Sequence, residues 1–193
     1  MESKNILLVG VGGQGIVLAS EIMSEFFKRQ GYDVKKSEVH GMAQRGGIVS
    51  SHVRIGEKVY SPMIEKGMAD IMLSFEKMEA LRWLYYVKKD GVIVSSNVKM
   101  VPPIVSTGAF EYPEDVEERI LKERPDAKIL DIVSALKDVG NDKVTNVIMI
   151  GALSTMFDFE PEKWLEVIKE AVPQKVVDVN VKAFKKGREL MGK

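Results

Sequence analysis

The spacing of apolar residues changes along the chain, and each change marks a boundary between elements. Residues 5 to 9, NILLV, form a short continuous apolar run that stops at glycine, the pattern of a strand buried on both faces. From Gly13 to Gln30 the apolar residues Ile16, Ala19, Met23 and Phe27 recur at three- and four-residue steps, and Gly31 supplies a stop. A strand, a glycine turn and a helix are therefore predicted in direct succession.

Residues 32 to 39, YDVKKSEV, predict a weak second strand. Residues 48 to 61 predict a stronger one, with Val49, Val53 and Ile55 alternating against Ser50, His52 and Arg54, and with Gly56 and Glu57 turning a hairpin. ADIMLSF (69 to 75) and DGVIVSSN (90 to 97) read as two more strands flanking a helix over 76 to 87, whose inner face carries Leu81, Leu84 and Tyr85. That β-α-β order belongs to an open α/β sheet. After a Pro-Pro break come a charged helix near 114 to 123 and a short strand at 128 to 132. The last third turns helical. KVTNVIMIGALSTMF is apolar nearly all round, as a buried helix is, and PEKWLEVIKEAV starts with proline at a permitted first-turn position. QKVVDVNVKAFKKGREL is ambiguous: its valines favour strand, whereas Val177, Val181 and Phe184 keep helical spacing. The expected fold is α/β, a Rossmann-like open and mostly parallel sheet with flanking helices and a helical C-terminal third.

Composition narrows the class. The 193 residues are 45% hydrophobic and 29% charged, which fits one globular domain over 1–193. Basic and acidic side chains balance at 28 each, so net charge gives no general attraction to nucleic acid or an anionic membrane. No window approaches the ~20 apolar residues of a membrane helix, and the opening MESKNILLVG lacks a signal peptide's basic region and cleavage site; a cytoplasmic protein is expected. There is no cysteine, which excludes disulfides and thiolate ligands for an iron–sulfur cluster.

Two stretches carry candidate chemistry. In VGVGGQGIVLAS, Gly10, Gly12 and Gly15 fall on the G-x-G-x-x-G spacing, where a helix N-terminus attracts an anionic ligand and glycine lets it come close. In a dinucleotide site Glu38 would be the acid that grips the ribose. The same glycines also serve a turn that only needs tight packing. Gln14 departs from the generic fingerprint; its amide can bind a ligand, bridge to the next loop or cap its own helix. The second stretch, SEVHGMAQRGG (37 to 47), gathers Glu38, His40, Met42, Gln44 and Arg45 in a loop closed by Gly46 and Gly47. Arg45 has the planar fork that holds a phosphate or carboxylate, and a salt bridge to Glu38 or to a partner is its alternative. His40 has the titration range of a general acid or base, but His40 and His52 are the only two histidines, and no nucleophile frame or zinc-ligand set accompanies them. A structural hydrogen-bonding role is favoured for each, and no metal site is expected.

GVGGQGIVLAS, SEVHGMAQRGG, SHVRIGEKVYSP, ADIMLSFEKMEAL, NVIMIGAL and NVKAFKKGREL together resemble, nearly end to end, the gamma-type domain of the 2-oxoacid:ferredoxin oxidoreductases. HGMAQRGG is similar to the arylpyruvate branch of that family, with the gamma subunit of a pyruvate or branched-chain relative as the alternative. The resemblance implies oxidative decarboxylation of an arylpyruvate such as indolepyruvate to the aryl-acetyl-CoA and CO2, with coenzyme A as co-substrate and ferredoxin as electron acceptor. It implies a small subunit, active only in a complex whose larger partner carries thiamine diphosphate, magnesium and the 4Fe-4S clusters. The missing cysteines, and the missing GDG motif with paired asparagines, agree with that division. Residue by residue, Gly10, Gly12, Gly13, Gln14 and Gly15 would approach the ligand; His40, Met42, Gln44 and Arg45 would face the partner's active site, His40 and Arg45 in catalytic roles, and Met42, Gln44, Gly46 and Gly47 would add to cofactor binding.

Overall fold

The computed structural model describes residues 3–41, 47–101 and 111–193. Its six strands form one sheet in the order β2-β3-β1-β4-β5-β6. They are β1 (Lys4–Val11), β2 (Asp33–His40), β3 (Ile48–Gly56), β4 (Ala69–Ser74), β5 (Val87–Ser96) and β6 (Lys128–Leu130). β1, β4, β5 and β6 pair in parallel, whereas β3 runs antiparallel to both of its neighbours, β1 and β2.

The apolar run in β1 has a direct structural cause. Ile6 and Leu8 point into one core and Leu7 and Val9 into the other, and all four are fully buried. The larger core lies under α1 (Ile16–Arg29), α4 (Ile132–Val139), α5 (Thr145–Ser154), α6 (Pro161–Ala171) and α7 (Val177–Leu190). The smaller one lies under α2 (Lys77–Trp83) and α3 (Val116–Glu123). Ile16, Ala19, Met23 and Phe27 of α1 are buried as their spacing predicts, and every residue of α5 is buried. The ambiguous last segment is helix α7, pressed so closely on α5 that a Cβ at Gly151 or Gly187 would run into the facing backbone. Burying Phe184 in that contact outweighs the strand preference of the valines.

Two local expectations fail, and one helix goes unread. The hairpin at Gly56 and Glu57 does not form: residues 57–68 contain no strand, because β1 and β2 already occupy both edges of β3. The hairpin is instead β2–β3, narrowed where the Gly41 N–H donates to the Ile48 carbonyl at 2.7 Å. Tyr85 is 55% exposed, not inward, because α2 tightens into a 3-10 turn at Leu84–Tyr86 and rotates Tyr86 toward the core instead. Helix α4 is absent from the sequence reading, although its signals are local. Asp131 caps it by accepting from Ser134 N at 3.2 Å, and Gly140 closes it with φ +83°.

Candidate functional site

The site is built at the C-terminal end of β1. The turn over residues 11–15 needs left-handed backbone at Gly13 (φ +101°) and Gly15 (φ +76°), which side chains disfavour. Gly10 serves a different purpose. A Cβ there would sit 2.7 Å from Gln14 Oε1 and 2.9 Å from Phe75 Cβ, so the missing side chain makes room for the Gln14 amide.

Gln14 is spoken for at both ends: Oε1 accepts from Val11 N at 2.8 Å and Nε2 donates to the Phe75 carbonyl at 2.7 Å. These contacts make the bridge to the next loop, one of its three possible roles. Gly12 N donates to the Gly47 carbonyl at 2.9 Å, so the glycine turn and the end of the HGMAQRGG stretch are joined directly.

Beyond Gly13 nothing among the described residues lies within 4 Å of where a Cβ would be, and a cavity of about 180 Å³ opens there. Gly13 and Gln14 form one wall, Val98 and Met100 after β5 a second, and Leu136 of α4 with Asp142, Lys143 and Thr145 a third. Two helix N-termini meet beside it: a Cβ on Gly15, the residue capping α1, would lie 2.7 Å from Asn146 Nδ2 in the first turn of α5. Each N-terminus carries about half a positive charge; the Lys143 charge is countered by Asp142 on the same wall, so the helix ends give this opening its preference for an anionic group. A shallower depression lined by Leu136, Lys137, Gly140, Asn141, Asp142 and Lys143 continues from it.

The His40 side chain is half exposed at the end of β2, with Nε2 3.6 Å from Glu38 Oε2. Glu38 also accepts from Lys36 Nζ at 2.9 Å and Ser20 Oγ at 3.1 Å. Partial burial pushes its carboxyl up, but Lys36, Ser20 and His40 outweigh that and hold it below the usual range. Strand β3 separates β2 from β1. Glu38 is thus about 10 Å to the side, two strand spacings from β1, instead of on the neighbouring strand where a ribose-gripping acid belongs. His52 is buried on β3, accepts from Ile64 N at Nδ1 (3.1 Å) and meets the Tyr86 ring edge to face, so its role is structural; burial lowers its pKa. Met42, Gln44, Arg45 and Gly46 lie outside the described residues.

Sequence reasoning misses Lys143, Thr145 and Asn146, which reach the site only because α5 crosses the start of α1. It also misses Glu76 and Glu79, which look like surface residues in SFEKMEAL but are 1% and 3% exposed. The one local signal is their spacing, the i, i+3 pattern of a helix cap: Glu76 Oε2 accepts from Glu79 N at 3.0 Å. No helix among the described residues is long and apolar enough to cross a membrane.

The family model described as pyruvate ferredoxin/flavodoxin oxidoreductase matches residues 5–190. Indolepyruvate oxidoreductase subunit IorB of Thermococcus kodakarensis is 43% identical, with 100% of each chain covered. The subunit of the same name from Pyrococcus horikoshii is 44% identical over 97% of this chain and 95% of its own. Among solved structures, the gamma subunit of a keto/oxoacid ferredoxin oxidoreductase from Geobacter sulfurreducens superposes with a TM-score of 0.70 at 24% identity, covering 97% of this chain and 98% of that one. The 2-oxoglutarate:ferredoxin oxidoreductase from Magnetococcus marinus, with 2-oxoglutarate, coenzyme A and succinyl-CoA bound, gives 0.76 at 20% identity over all of this chain and 31% of that one. At these identities the two structures establish the shared fold.

Proposed function

We propose, because the chain belongs to the pyruvate ferredoxin/flavodoxin oxidoreductase family, that it is the small subunit of an indolepyruvate:ferredoxin oxidoreductase. Residues 1–193 act as one unit. The complex converts an arylpyruvate to the aryl-acetyl-CoA and CO2 and passes the electrons to ferredoxin. Thiamine diphosphate, magnesium and the 4Fe-4S clusters belong to the larger partner subunit, consistent with a chain that has no cysteine.

The observation that carries this chain's own part is the cavity beside Gly13, where the N-termini of α1 and α5 meet next to Lys143. That donor set suits a phosphate, and coenzyme A is the anionic, phosphate-bearing participant in the reaction. At about 180 Å³ the cavity takes a segment of that molecule and not the whole, since ligand pockets usually reach ~300 Å³ or more. Coenzyme A supplies the thiol that accepts the acyl group. Lys143 and the amides near Gly13 and Thr145 hold its charge, and Gly13 keeps the approach open. His40, Met42, Gln44 and Arg45 face the partner's active site, where the Arg45 guanidinium offsets the substrate carboxylate.

The test is reconstitution with the larger subunit, assayed with indolepyruvate, coenzyme A and a ferredoxin substitute. Activity is expected only with both chains. In the assembled enzyme Lys143→Ala should raise the KM for coenzyme A about tenfold, the loss of one charge-assisted contact. Full activity of the larger subunit alone would make this chain a scaffold. Tight binding of NADH by the isolated chain would make it a dehydrogenase instead.

A further inference from the structure

Three consecutive residues, 75–77, hold two walls of the Gly13 cavity at once. The Phe75 carbonyl accepts from Gln14 Nε2, which fixes the glycine turn. Lys77 N donates to the Val98 carbonyl at 3.2 Å. Between them, Glu76 caps α2 through Oε2 and uses Oε1 for something else: it accepts from Met100 N at 3.2 Å and from the Tyr112 hydroxyl at 2.6 Å. Val98 and Met100 form the wall across from Gly13. A cap on a seven-residue helix needs neither of these two contacts, and a surface glutamate would serve it.

We propose that Glu76 is a positioning residue for the cavity, its buried carboxylate holding Met100 and Tyr112 so that the Val98–Met100 wall stands at a fixed distance from the glycine turn. A carboxylate removed from water is costly unless its lone pairs are filled, and among the described residues three donors fill them. Ionised, it can accept from all three. Glutamine in its place presents one acceptor oxygen and an NH2 group, so at least one donor is left facing another donor. Tyr112 responds to the same contact: burial first, then its bond to Glu76, pushes its hydroxyl well above the usual range, which keeps it a donor. Glu76 therefore touches no ligand and acts through Met100.

This inference rests on coenzyme A using the Gly13 cavity, and the experiment separates the two. In the assembled enzyme, Glu76→Gln should raise the KM for coenzyme A about tenfold and leave kcat and the KM for the 2-oxo acid within about twofold, the scale of one lost hydrogen bond to a charged group. Tyr112→Phe, a milder change, should give a smaller rise in the same constant. The double variant should be no worse than Glu76→Gln, since both act through one oxygen. Amide hydrogen exchange supplies a readout independent of turnover: protection at the Met100 N–H should fall in Glu76→Gln while the β1 amides keep theirs. If Lys143→Ala shifts the coenzyme A constant and neither Glu76→Gln nor Tyr112→Phe does, the positioning role is overturned and the cavity assignment survives. If none of the three shifts it, the cavity assignment itself falls. A uniform loss of kcat and both KM values, with exchange accelerated throughout, would reduce Glu76 to a folding residue.

Discussion

On the face of the sheet covered by α1 and α4 to α7, the buried polar groups are neutral ones such as Ser20, Ser24, Asn146, Ser154 and Asn180, set among a large apolar core. The face covered by α2 and α3 has a much smaller apolar cluster and buries Glu76, Glu79 and His52. The first face is specified by volume and close packing, the second by charge and hydrogen bonding. The glycine turn sits at the end of β1, the strand that feeds both cores. Its cavity takes Leu136 and Thr145 from the apolar side, and Glu76 braces its Val98–Met100 wall from the polar side. The contrast predicts that substitutions on the first face change stability equally at every pH, whereas those on the second change how stability depends on pH.

The largest effect belongs to Trp164. Fully buried on α6, it stacks on Phe26 with ring centroids 3.5 Å apart, inside a cluster with Phe27 and Phe159. Trp164→Ala should cost about 3–5 kcal/mol. For a chain of this size that lowers Tm by roughly 10 °C. The loss should be equal at pH 5 and pH 7.5 by thermal unfolding. A loss that varies with pH across that range would break the comparison.

The same contrast explains what was legible in the sequence. Apolar periodicity identifies β1, α1, β4, β5 and the buried helix α5, because each of those patterns records a local choice of face. It also places Gly10 to Gly15 at the candidate site, since positive φ and close approach leave a mark on residue type. It does not reveal that β3 inserts between β1 and β2, because strand order is decided by pairing between distant segments. The expected hairpin at Gly56 fails for that reason. The Gly13 cavity is half legible: its glycine wall is one contiguous motif, but Val98 and Met100, Leu136, and Lys143 and Thr145 come from three other segments. Glu76 goes unnoticed because a glutamate in a short helix is ordinarily solvated, and the contacts that hold it, with Tyr112 and Met100, come from distant segments.

A smaller effect is expected at His52. Burial lowers its pKa from an ordinary 6.5, so the folded state keeps it neutral while the unfolded chain takes up a proton below that pH. Its stabilising contribution is whole above pH 6.5 and is lost as pH falls through the folded value. Glutamine can still accept from Ile64 N but cannot titrate. His52→Gln should therefore cost about 1 kcal/mol near neutrality through lost contact with Tyr86, and should flatten the decline in Tm on acidification below pH 6.5. An acid limb as steep in the variant as in the parent protein would assign the decline to other groups.

The smallest effect, and the sharpest discrimination, comes from Glu79, which titrates on the same face with the opposite sign. Burial raises its carboxyl above the ordinary 4.5; Arg82 and the Trp83 indole, which donates at 3.2 Å, pull it part of the way back, and the nearby Glu76 charge pushes it up again. A carboxyl whose folded pKa lies above the unfolded one contributes fully below pH 4.5 and loses that contribution as pH rises through the folded value. Glutamine keeps an acceptor for the Trp83 N–H and carries no charge to bury. Glu79→Gln should thus gain Tm relative to the parent protein as pH rises from 4.5 to 7.5, whereas His52→Gln gains relative to it as pH falls over the lower part of that range. Opposite slopes from two residues on one face, beside the flat response of Trp164→Ala on the other, cannot arise from a general change in packing. A Glu79→Gln difference that stays constant with pH would mean that Arg82 and Trp83 already offset the cost of burying the carboxylate.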